Sequence, residues 1–542
     1  MKYHQLIFLK FFVSFLVVFS VATEDGLTYD YSGYIECKNE PEDPLYNGGI
    51  IVNQNQSVSS TFLLPNLSGN TIYSFSSWVK LNGSNATAIK ASLSLDNDTN
   101  ICIGNVIAKS DCWSFIKGGF VLDSASSYAM VYFLDSHGNK HNVTLASASL
   151  QPFTPQQWQN NQANSIDKER KRAVTIHVSD VNGESIQGAQ VIVEQISRDF
   201  PFGSAISKTI IGNIPYQKWF LERFNAAVFE NELKWCETEP EQGIINYTIP
   251  DQMLDFIRAN EITVRGHNIF WEDPIYIPSW VQNLTGDALN SAIKSRIQSL
   301  MSHYKNQFIH WDVSNEMLHF DFYEQRLGQN VSLEMFKLAH ETDPLALLFM
   351  NDFNVVETCG DLNSSAAAYA ARMREVEEGG VMMDGVGLEG HFVTPNLPLI
   401  RGVLDQLASL GLPIWLTEVD ISNTLDQETQ GKYLEIVLRE VYSHPSVSGI
   451  MLWTAMDPNG CYQMCLTDSN FHNLPAGDVV DKLLLKEWST GVVNGQSDFD
   501  GTFSFDGFLG EYMVNVDFQN RTSNSTFYIS KGDDTTHFSI HL

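Results

Sequence analysis

The sequence has few cysteines, few basic residues and almost no long apolar runs. Seven cysteines in 542 residues cannot build a disulfide scaffold, and no paired CxxC motif predicts a zinc site. Lys and Arg number 33 against 64 Asp and Glu, so the net charge is −31 and we expect no nucleic-acid partner. With 43% hydrophobic and 12% aromatic residues, wholesale disorder is also excluded. A neutral polymer such as a polysaccharide remains compatible with this charge.

The first 22 residues predict a signal peptide. Lys2 and Lys10 flank its amino-terminal part, an apolar run follows over 11–21, and the small Ala22 suits cleavage before Thr23. The alternative is a membrane anchor, but this run is too short to span a bilayer comfortably. No later stretch reaches about 18 uninterrupted apolar residues. We therefore expect no membrane association after cleavage.

Asn-x-Ser/Thr sequons and the cysteine spacing support export. The twelve sequons begin at Asn55, Asn66, Asn82, Asn85, Asn97, Asn142, Asn246, Asn283, Asn330, Asn363, Asn520 and Asn524. Together with the leader they predict a secreted, extracellular glycoprotein. Cys102/Cys112 and Cys461/Cys465 are close in sequence, and each pair would close a small loop in an oxidising compartment. Because seven is an odd number, one cysteine must stay unpaired if all the others pair within the chain.

Composition divides the chain after the leader into five segments. In 30–155, short runs rich in Val, Ile, Tyr and Phe alternate with turn residues, which predicts an all-β sandwich or jelly roll. The polar segment 156–172 predicts a linker. Short apolar strands alternate with helix-period segments over 198–490. The flanking segments 173–197 and 491–542 have the turn glycines and alternating apolar residues of β structure.

Eight strand candidates in the long segment predict a (β/α)8 TIM barrel. They begin near Phe202, Ala227, Thr263, His310, Leu347, Gly385, Pro413 and Gly449. Apolar residues at helical spacing lie between them, among them Leu434, Val437, Leu438 and Val441. The alternative, a doubly wound open sheet, usually has fewer strands and often a Gly-rich phosphate loop, but no GxGxxG motif is present.

The two β segments beside the barrel look related. Residues 174–194 contain two strands around a Gly turn, and 497–529 contain alternating Phe, Tyr and Val residues after Asp500-Gly501. We hypothesise that they meet across the barrel and form one small split sandwich. The alternative is two independent β extensions.

Nearly every predicted barrel strand ends in a residue that is costly to bury. These ends carry Glu230, Asn231, Lys234, His267, Asn268, Trp271, Asp312, Asn315, Glu316, Asn351, Asp352, Glu389, His391, Glu418, Asp420 and Trp453. Active sites of such barrels lie at the carboxyl ends of the strands, and a barrel built for stability alone would place Val, Ile and Leu there. The strand ends therefore predict an active site.

Several motifs that mark other kinds of active site are absent from the sequence. His267 and His391 each stand alone on a strand, without an HxH or HExxH pair, so we expect no metal. The sequence has no P-loop, so we do not expect phosphoryl transfer. It has no GxSxG elbow either, so we do not expect a serine nucleophile. We expect no cofactor of any kind.

Two carboxylates on different strands suit glycoside cleavage. Glu316 ends the fourth strand and Glu418 lies at the end of the seventh. If their carboxyl groups face each other at about 5 Å, the reaction retains the anomeric configuration. Ionised Glu418 would attack the sugar, and its charge would raise the pKa of Glu316 and keep it a proton donor. The aromatic faces of Trp235, Trp271 and Trp453 suit sugar rings, although the core is the more common place for a tryptophan.

These motifs resemble glycoside hydrolase family 10, the endo-1,4-β-xylanases. The matching segments follow in order: ENELKW, RGHNIFW, WDVSNE, NDFN, GLEGHF and LTEVD. The resemblance implies a retaining endo-1,4-β-xylanase acting on cell-wall xylan, with Glu316 as acid/base and Glu418 as nucleophile. It implies substrate contacts for Glu230, Asn231, Lys234, His267, Trp271, Asn315, His391 and Trp453. Asp420 and Glu389 would support them, Asp420 by orienting His391.

The amino-terminal β region resembles a family 22 carbohydrate-binding module more weakly. Its candidates for sugar contact are Trp78, Trp113, Tyr128 and Tyr132. The whole arrangement is similar to plant cell-wall xylanases, so xylan is the expected polysaccharide partner and we expect a monomer.

Four positions depart from the family pattern. Glu389 stands where Gln is usual, Glu272 where His is usual, Pro274 replaces a usual Gln, and Cys461 replaces a usual Trp. These changes affect the sugar cradle rather than the two carboxylates, so rate and sugar selectivity stay open. The alternatives are the same chemistry on another β-glycan, transfer to a second glycan, and a catalytically silent wall-binding protein. Retention of both Glu316 and Glu418 disfavours the last.

Overall fold

A computed structural model describes residues 27–46, 50–53, 57–59, 61–64, 66–83, 86–96, 100–532 and 534–542. The predicted signal peptide and the sequons at Asn55, Asn85 and Asn97 lie outside these residues. Every other sequon asparagine is exposed. Among the described helices, none combines the length and apolar character that crossing a bilayer requires.

The amino-terminal module is a sandwich of two antiparallel sheets. Its strands are β1 (Ile50–Asn53), β2 (Ser57–Ser59), β3 (Thr61–Leu64), β4 (Thr71–Leu81), β5 (Ala86–Leu95), β6 (Asn100–Lys109), β7 (Ser114–Leu122), β8 (Ala129–Asp135) and β9 (Val143–Phe153). One sheet has the order β1-β9-β4-β7, with β2 also paired to β9, and the other has the order β3-β8-β5-β6. The alternating apolar residues of both sheets form the core between them, as in other sandwiches.

The outer face of the first sheet is covered by the barrel, so this module is docked rather than free. Strands β4 and β7 pack on helix α10 (Leu397–Ala408). A Cβ on Gly402 would lie 2.8 Å from the backbone of Gly118, so only glycine permits this close approach. Lys117 Nζ lies 2.6 Å from Asp405 Oδ2, and both side chains are fully buried. Lys117 also donates to the backbone oxygens of the amino-terminal segment, which completes its hydrogen bonds.

Two of the aromatic residues considered for sugar contact lie inside this assembly. Trp78 and Trp113 are 1% and 4% exposed and pack in an aromatic cluster beneath the amino-terminal segment. Tyr128, in contrast, is exposed. The sequence could not separate these cases because tryptophan suits both a core and a platform.

The pairing predicted for Cys102 and Cys112 is wrong. Cys37 pairs with Cys112, because the amino-terminal segment forms a bridge with the chain beside Cys112, and Cys102 on β6 pairs with Cys359 of the barrel. Cys461 pairs with Cys465 as predicted, and Cys236 is free. The Cys102–Cys359 bond links the module covalently to the barrel.

The predicted linker 156–172 is mostly helix α1 (Pro155–Arg170). Thr154 caps it: its Oγ1 accepts from Gln157 N, and Gln157 Oε1 accepts from Thr154 N. Three of its polar residues, Gln162, Ser165 and Arg170, are buried against the barrel. Trp158 Nε1 and Gln162 Nε2 both donate to Glu440 Oε2 at 2.7 Å. The helix packs through hydrogen bonds to the barrel, which apolar periodicity could not reveal.

The two β segments beside the barrel pair with each other. They comprise β10 (Lys171–Ser179), β11 (Gln190–Gln195), β21 (Val492–Gln496), β22 (Thr502–Phe508), β23 (Gly510–Phe518), β24 (Arg521–Ile529) and β25 (Thr536–His541). One sheet has the order β22-β10-β25 and the other the order β21-β11-β23-β24. Each sheet therefore joins a strand from before the barrel to strands from after it. Val191, Val193, Tyr512 and Ile529 are among the fully buried residues between the sheets.

The barrel itself is built from parallel strands, which confirms the predicted fold class. They are β12 (Phe202–Ile206), β13 (Ala226–Phe229), β14 (Thr263–Arg265), β15 (Phe270–Trp271), β16 (His310–Asn315), β17 (Leu347–Asp352), β18 (Gly385–Phe392), β19 (Ile414–Ile421) and β20 (Val447–Leu452). The barrel has eight strand positions, which we call staves, and β14 and β15 together form the third. Gly266 N donates to His310 O at 2.8 Å and closes the ring between the third and fourth staves.

Helices surround these strands. Besides α1 and α10 they are α2 (Ile214–Leu221), α3 (Trp235–Thr238), α4 (Thr248–Ala259), α5 (Ser279–Gln282), α6 (Gly286–His303), α7 (Phe322–Leu327), α8 (Asn330–Thr342), α9 (Ala366–Glu378), α11 (Gln427–Ser443) and α12 (Pro475–Lys482). The apolar residues predicted at helical spacing in α11 are fully buried against the strands. This packing fixes the carboxyl ends of the strands at one end of the barrel, where the candidate site lies.

Candidate active site

Asn351, at the end of β17, is the hydrogen-bonding centre of the site. Its Nδ2 donates to Asn315 Oδ1 at 2.9 Å, and to Glu389 Oε1 and Glu418 Oε1 at 3.1 Å each. Its own Oδ1 accepts from Thr417 Oγ1. One buried amide thus joins four consecutive staves of the barrel. The sequence marked Asn351 as a polar strand end but did not assign it a role.

Glu418, on β19, lies between two histidines. Its Oε1 is 3.7 Å from His267 Nδ1, and its Oε2 is 3.6 Å from His391 Nε2. Burial alone would raise the pKa of Glu418, but His267, His391 and Arg265 lower it below its ordinary value. The carboxyl group is therefore an anion near neutral pH, although it is buried.

Each of these histidines is oriented by a buried aspartate. His267 Nδ1 lies 3.0 Å from Asp312 Oδ2, and His391 Nδ1 lies 2.9 Å from Asp420 Oδ1. Burial opposes the charged form of His391, but Asp420 and the neighbouring glutamates raise its pKa well above the ordinary value. Protonated His391 then offers its Nε2–H to the carboxylates, while 24% of its side chain remains exposed to the cleft.

Glu316 follows β16 in a left-handed backbone conformation, with φ of 62°. Its N–H donates to Asn351 O at 2.8 Å, which fixes the turn. Burial raises the pKa of Glu316 to about 8; Trp271 opposes this, and the charge of Glu418 adds to it. Glu316 therefore carries its proton at neutral pH. The two carboxyl groups differ in protonation state because their surroundings differ.

Glu389, on β18, is a third buried carboxyl group beside this pair. Its Oε2 lies 3.4 Å from His391 Nε2, and it faces Glu418 in the register of the two strands. Burial, then Glu418 and Glu316, raise its pKa well above the ordinary value. Glu389 is therefore a neutral acid. Like the glutamine usual in the resembled family, it presents one acceptor and one donor and no charge.

Glu230, Asn231 and Lys234 form a second polar group after β13. Lys234 Nζ donates to Asn231 Oδ1 at 2.8 Å. Burial, then Asp457, raise the pKa of Glu230 to about 8. All three follow the carboxyl end of the second stave, and Lys234 lies close enough to Glu418 and Glu316 for their charges to act on its ammonium group.

Aromatic rings cover this polar group. Trp271 and Tyr276 stack with centroids 3.7 Å apart, and Lys234 Nζ lies 4.5 Å from the Trp271 centroid. Trp453 is buried with its ring 5.1 Å from that of His267. Trp271 is half-buried with one ring face covered by Tyr276, and Trp453 is buried. Trp235, also considered for a sugar face, is buried and packs on Phe270 and Trp280.

Two of the atypical residues lie beside the site but not in it. Glu272 Oε1 accepts from Ser314 Oγ at 2.8 Å, and Oε2 accepts from Tyr323 N at 3.3 Å. Burial raises its pKa to about 7. Pro274 begins a single helical turn that carries Tyr276. Glu272 therefore supports the strand end instead of facing the cleft.

One group of described residues has the donors for a metal ion. Glu389, His391 and Glu418 place one potential ligand atom each within 4.8 Å of one another. The attraction between protonated His391 and the two carboxyl groups, 3.4 and 3.6 Å from its Nε2, explains this geometry without a metal.

Comparison with known proteins places this site in a family. The family model for glycosyl hydrolase family 10 matches residues 192–481. The chain is 38% identical over 424 residues to endo-1,4-beta-xylanase 5 of Arabidopsis thaliana, covering 77% of this chain and 73% of that protein. It is 35% identical over 498 residues to endo-1,4-beta-xylanase 4 of the same plant, covering 90% and 86%.

A similar solved structure is native xylanase 10B from Thermotoga maritima, at 24% identity and a TM-score of 0.48, over 54% of this chain and 96% of that one. The family match spans β11 to α12, and with it the strand ends that carry the two carboxyl groups. The chain belongs to glycosyl hydrolase family 10.

Proposed function

We propose that this chain is a retaining endo-1,4-β-xylanase that hydrolyses xylan. The observation that carries the proposal is the pair of buried carboxyl groups with opposite pKa shifts, Glu418 lowered and Glu316 raised. Such a pair supplies a nucleophile and a proton donor at the same pH. The names of the similar plant proteins support xylan as the substrate.

In the first step Glu418 attacks the anomeric carbon while Glu316 gives its proton to the leaving glycosidic oxygen. The bond to the leaving sugar breaks and an ester forms between Glu418 and the remaining chain. His391 and His267 hold the attacking carboxylate, and Asn351 Nδ2 donates to its Oε1. Their charges and hydrogen bonds keep the group ionised in a buried position.

In the second step Glu316 acts as a base. Once Glu418 is esterified, its negative charge is gone and the pKa of Glu316 falls, because one cause of its elevation has been removed. Ionised Glu316 takes a proton from water, which attacks the anomeric carbon and releases Glu418. The product has the starting configuration after two inversions.

The remaining strand-end residues hold the sugar at the cleavage point. Asn315 Oδ1 is engaged by Asn351, so the Asn315 amide presents its N–H groups to the sugar 2-hydroxyl. Glu230, Asn231 and Lys234 bind further hydroxyl groups, and Trp271 supplies an apolar face.

The chain acts outside the cell. Its apolar leader, its sequons and three disulfide bonds among the described residues support an oxidising, extracellular compartment. The exposure of every described sequon asparagine supports glycosylation.

A panel of purified xylan, β-glucan and mannan tests the proposal, with chromatography of the products. We expect xylo-oligosaccharides of several lengths from xylan at early times. Transfer products at high substrate concentration would indicate a transglycosylase. Release of oligosaccharides from glucan or mannan, and none from xylan, would show that the substrate is that polysaccharide and not xylan.

We expect Glu389→Gln to leave kcat/KM near neutral pH within a factor of about three of the unmodified chain. Glutamine matches the neutral acid in shape, charge and hydrogen bonding to Asn351. The raised pKa of Glu389 means that its charge appears only as pH rises, beside Glu418 and Glu316. The glutamine variant should therefore keep more activity than the unmodified chain at high pH.

The control is Glu389→Leu, which has similar size but no hydrogen bond to Asn351 or His391. It should lose activity at every pH. A loss of more than tenfold for Glu389→Gln at neutral pH would show instead that Glu389 works as an anion.

A further inference from the structure

A short disulfide-closed loop follows the last barrel strand and has no assigned role. Cys461 and Cys465 pair across a sequence separation of four. Inside the loop, Met464 is 1% exposed and packs in the barrel core, whereas Tyr462 is 56% exposed. The loop thus anchors one side chain inward and presents an aromatic ring outward.

The Tyr462 ring lies at the mouth of the site. Its centroid is 5.7 Å from that of His391, at an interplanar angle of 68°. It also lies close enough to Tyr276 to raise the pKa of that phenol, after burial and together with Asp273 and Glu316. Tyr462 is therefore near the side chains that surround both carboxyl groups, on the stave next to Glu418.

The position of this ring is fixed by more than the disulfide bond. Gln463 Oε1 accepts from Asn423 N at 3.1 Å, which ties the loop to the chain that follows β19. At the start of the segment, Met456 O accepts from Ser207 Oγ at 3.0 Å. With Met464 buried, the backbone on both sides of Tyr462 is held.

Such a fixed, exposed ring adds little to folding stability, because it buries little apolar area. Ordering it in advance does lower the entropy cost of ligand binding. A flat ring with a hydroxyl at its edge offers an apolar face to a sugar and a hydrogen bond to one of its hydroxyl groups.

We propose that Tyr462 is a substrate-contacting residue whose ring forms a platform for a sugar unit of the β-1,4-linked chain, and that the Cys461–Cys465 bond holds it in place. The inference rests on the proposed function, since the ligand it names is the substrate of that site. Tyr462 would add a sugar contact from the loop after the eighth stave. The sugar contacts proposed above come from the second, third and fourth staves.

The test compares the full-length unmodified chain with Tyr462→Ala and Tyr462→Phe on xylohexaose. We expect Tyr462→Ala to raise KM roughly two- to twelvefold, the range for one aromatic contact, with kcat little changed. Tyr462→Phe keeps the ring, so its KM should stay close to that of the unmodified chain. Tyr528→Ala, which removes an exposed tyrosine of the split sandwich, is the matched control and should leave KM unchanged.

A double Cys461→Ser, Cys465→Ser variant tests the role of the disulfide bond. It should raise KM in the same direction, and adding Tyr462→Ala to it should raise KM by less than in the unmodified chain. A KM unchanged in Tyr462→Ala would overturn the inference. A fall in kcat with KM constant would also overturn it, because the ring would then act by holding His391.

These outcomes are separate from a failure of the proposed function. If the unmodified chain binds xylohexaose without cleaving it, the proposed function fails, and the same comparison is made on Kd by calorimetry. A weaker Kd for Tyr462→Ala would support the contact. No binding of xylohexaose by the unmodified chain would overturn both.

Discussion

Glu418→Ala is expected to lower kcat on xylan by on the order of 10⁴-fold or more while leaving oligosaccharide binding intact. Without the carboxylate no covalent intermediate forms, and the remaining groups provide only proton transfer and orientation. His267, His391 and Asn351 keep their other partners, Asp312, Asp420 and Asn315, so the site should stay assembled. Initial rates on xylan and calorimetric titration with xylohexaose measure the two effects.

A small anion distinguishes loss of the nucleophile from loss of the fold. With an aryl xylobioside, azide should enter the space left in Glu418→Ala and attack the anomeric carbon directly, so the product is the inverted glycosyl azide. The matched control is Glu241→Ala, which removes an exposed glutamate from a loop on the same face of the barrel and should leave kcat unchanged. Retention of substantial activity by Glu418→Ala would rule out its role as nucleophile.

Glu316→Gln is expected to lower kcat/KM on xylan by roughly 10²- to 10⁴-fold, the usual contribution of a general acid. The size of the loss should depend on the leaving group. Dinitrophenolate leaves without protonation, so the rate of the first step on a dinitrophenyl glycoside should be close to that of the unmodified chain. The second step would still lack a base, and a burst of dinitrophenol followed by slow turnover should be seen in stopped-flow absorbance.

The same residue sets the alkaline side of the pH profile. Because the pKa of Glu316 is raised to about 8, its proton is present below that pH and is lost as the pH rises through it. kcat/KM of the unmodified chain should therefore fall on the alkaline side, and that fall should be smaller in Glu316→Gln, where only the ionisation of Glu389 remains. On the acid side, the lowered pKa of Glu418 keeps the nucleophile ionised well below neutral pH. An alkaline fall that persists unchanged in Glu316→Gln would assign it to another group.

The barrel could be predicted because its signals are local. The predicted starts near Phe202, Thr263, His310, Leu347 and Gly385 coincide with the starts of β12, β14, β16, β17 and β18. Helix α1 was missed for a physical reason: it is held by buried hydrogen bonds to Glu440, and its polar residues resemble those of a solvated linker. Disulfide pairing depends on distances that sequence spacing does not contain, as Cys102 shows.

The candidate site could be predicted in part. Polar strand ends identify which residues meet at the mouth, because the carboxyl ends of all staves lie together. They do not show which residue connects the others, so Asn351 stood beside Asp352 without a role. Nor do they show protonation, and the neutral state of Glu389 follows from burial and from its neighbours. Tyr462 belongs to a loop after a strand, where sequence pattern carries little information.

The docking of the amino-terminal module on α10 changes how the chain can move on a solid substrate. A module on a flexible tether searches a volume set by the tether length, and its gain in affinity falls as that length grows. Here the buried Lys117–Asp405 pair and the Cys102–Cys359 bond leave no tether. Any polymer that touches both module and barrel must do so at one fixed spacing and one fixed angle. A polymer that contacts only the barrel would gain no affinity from the module.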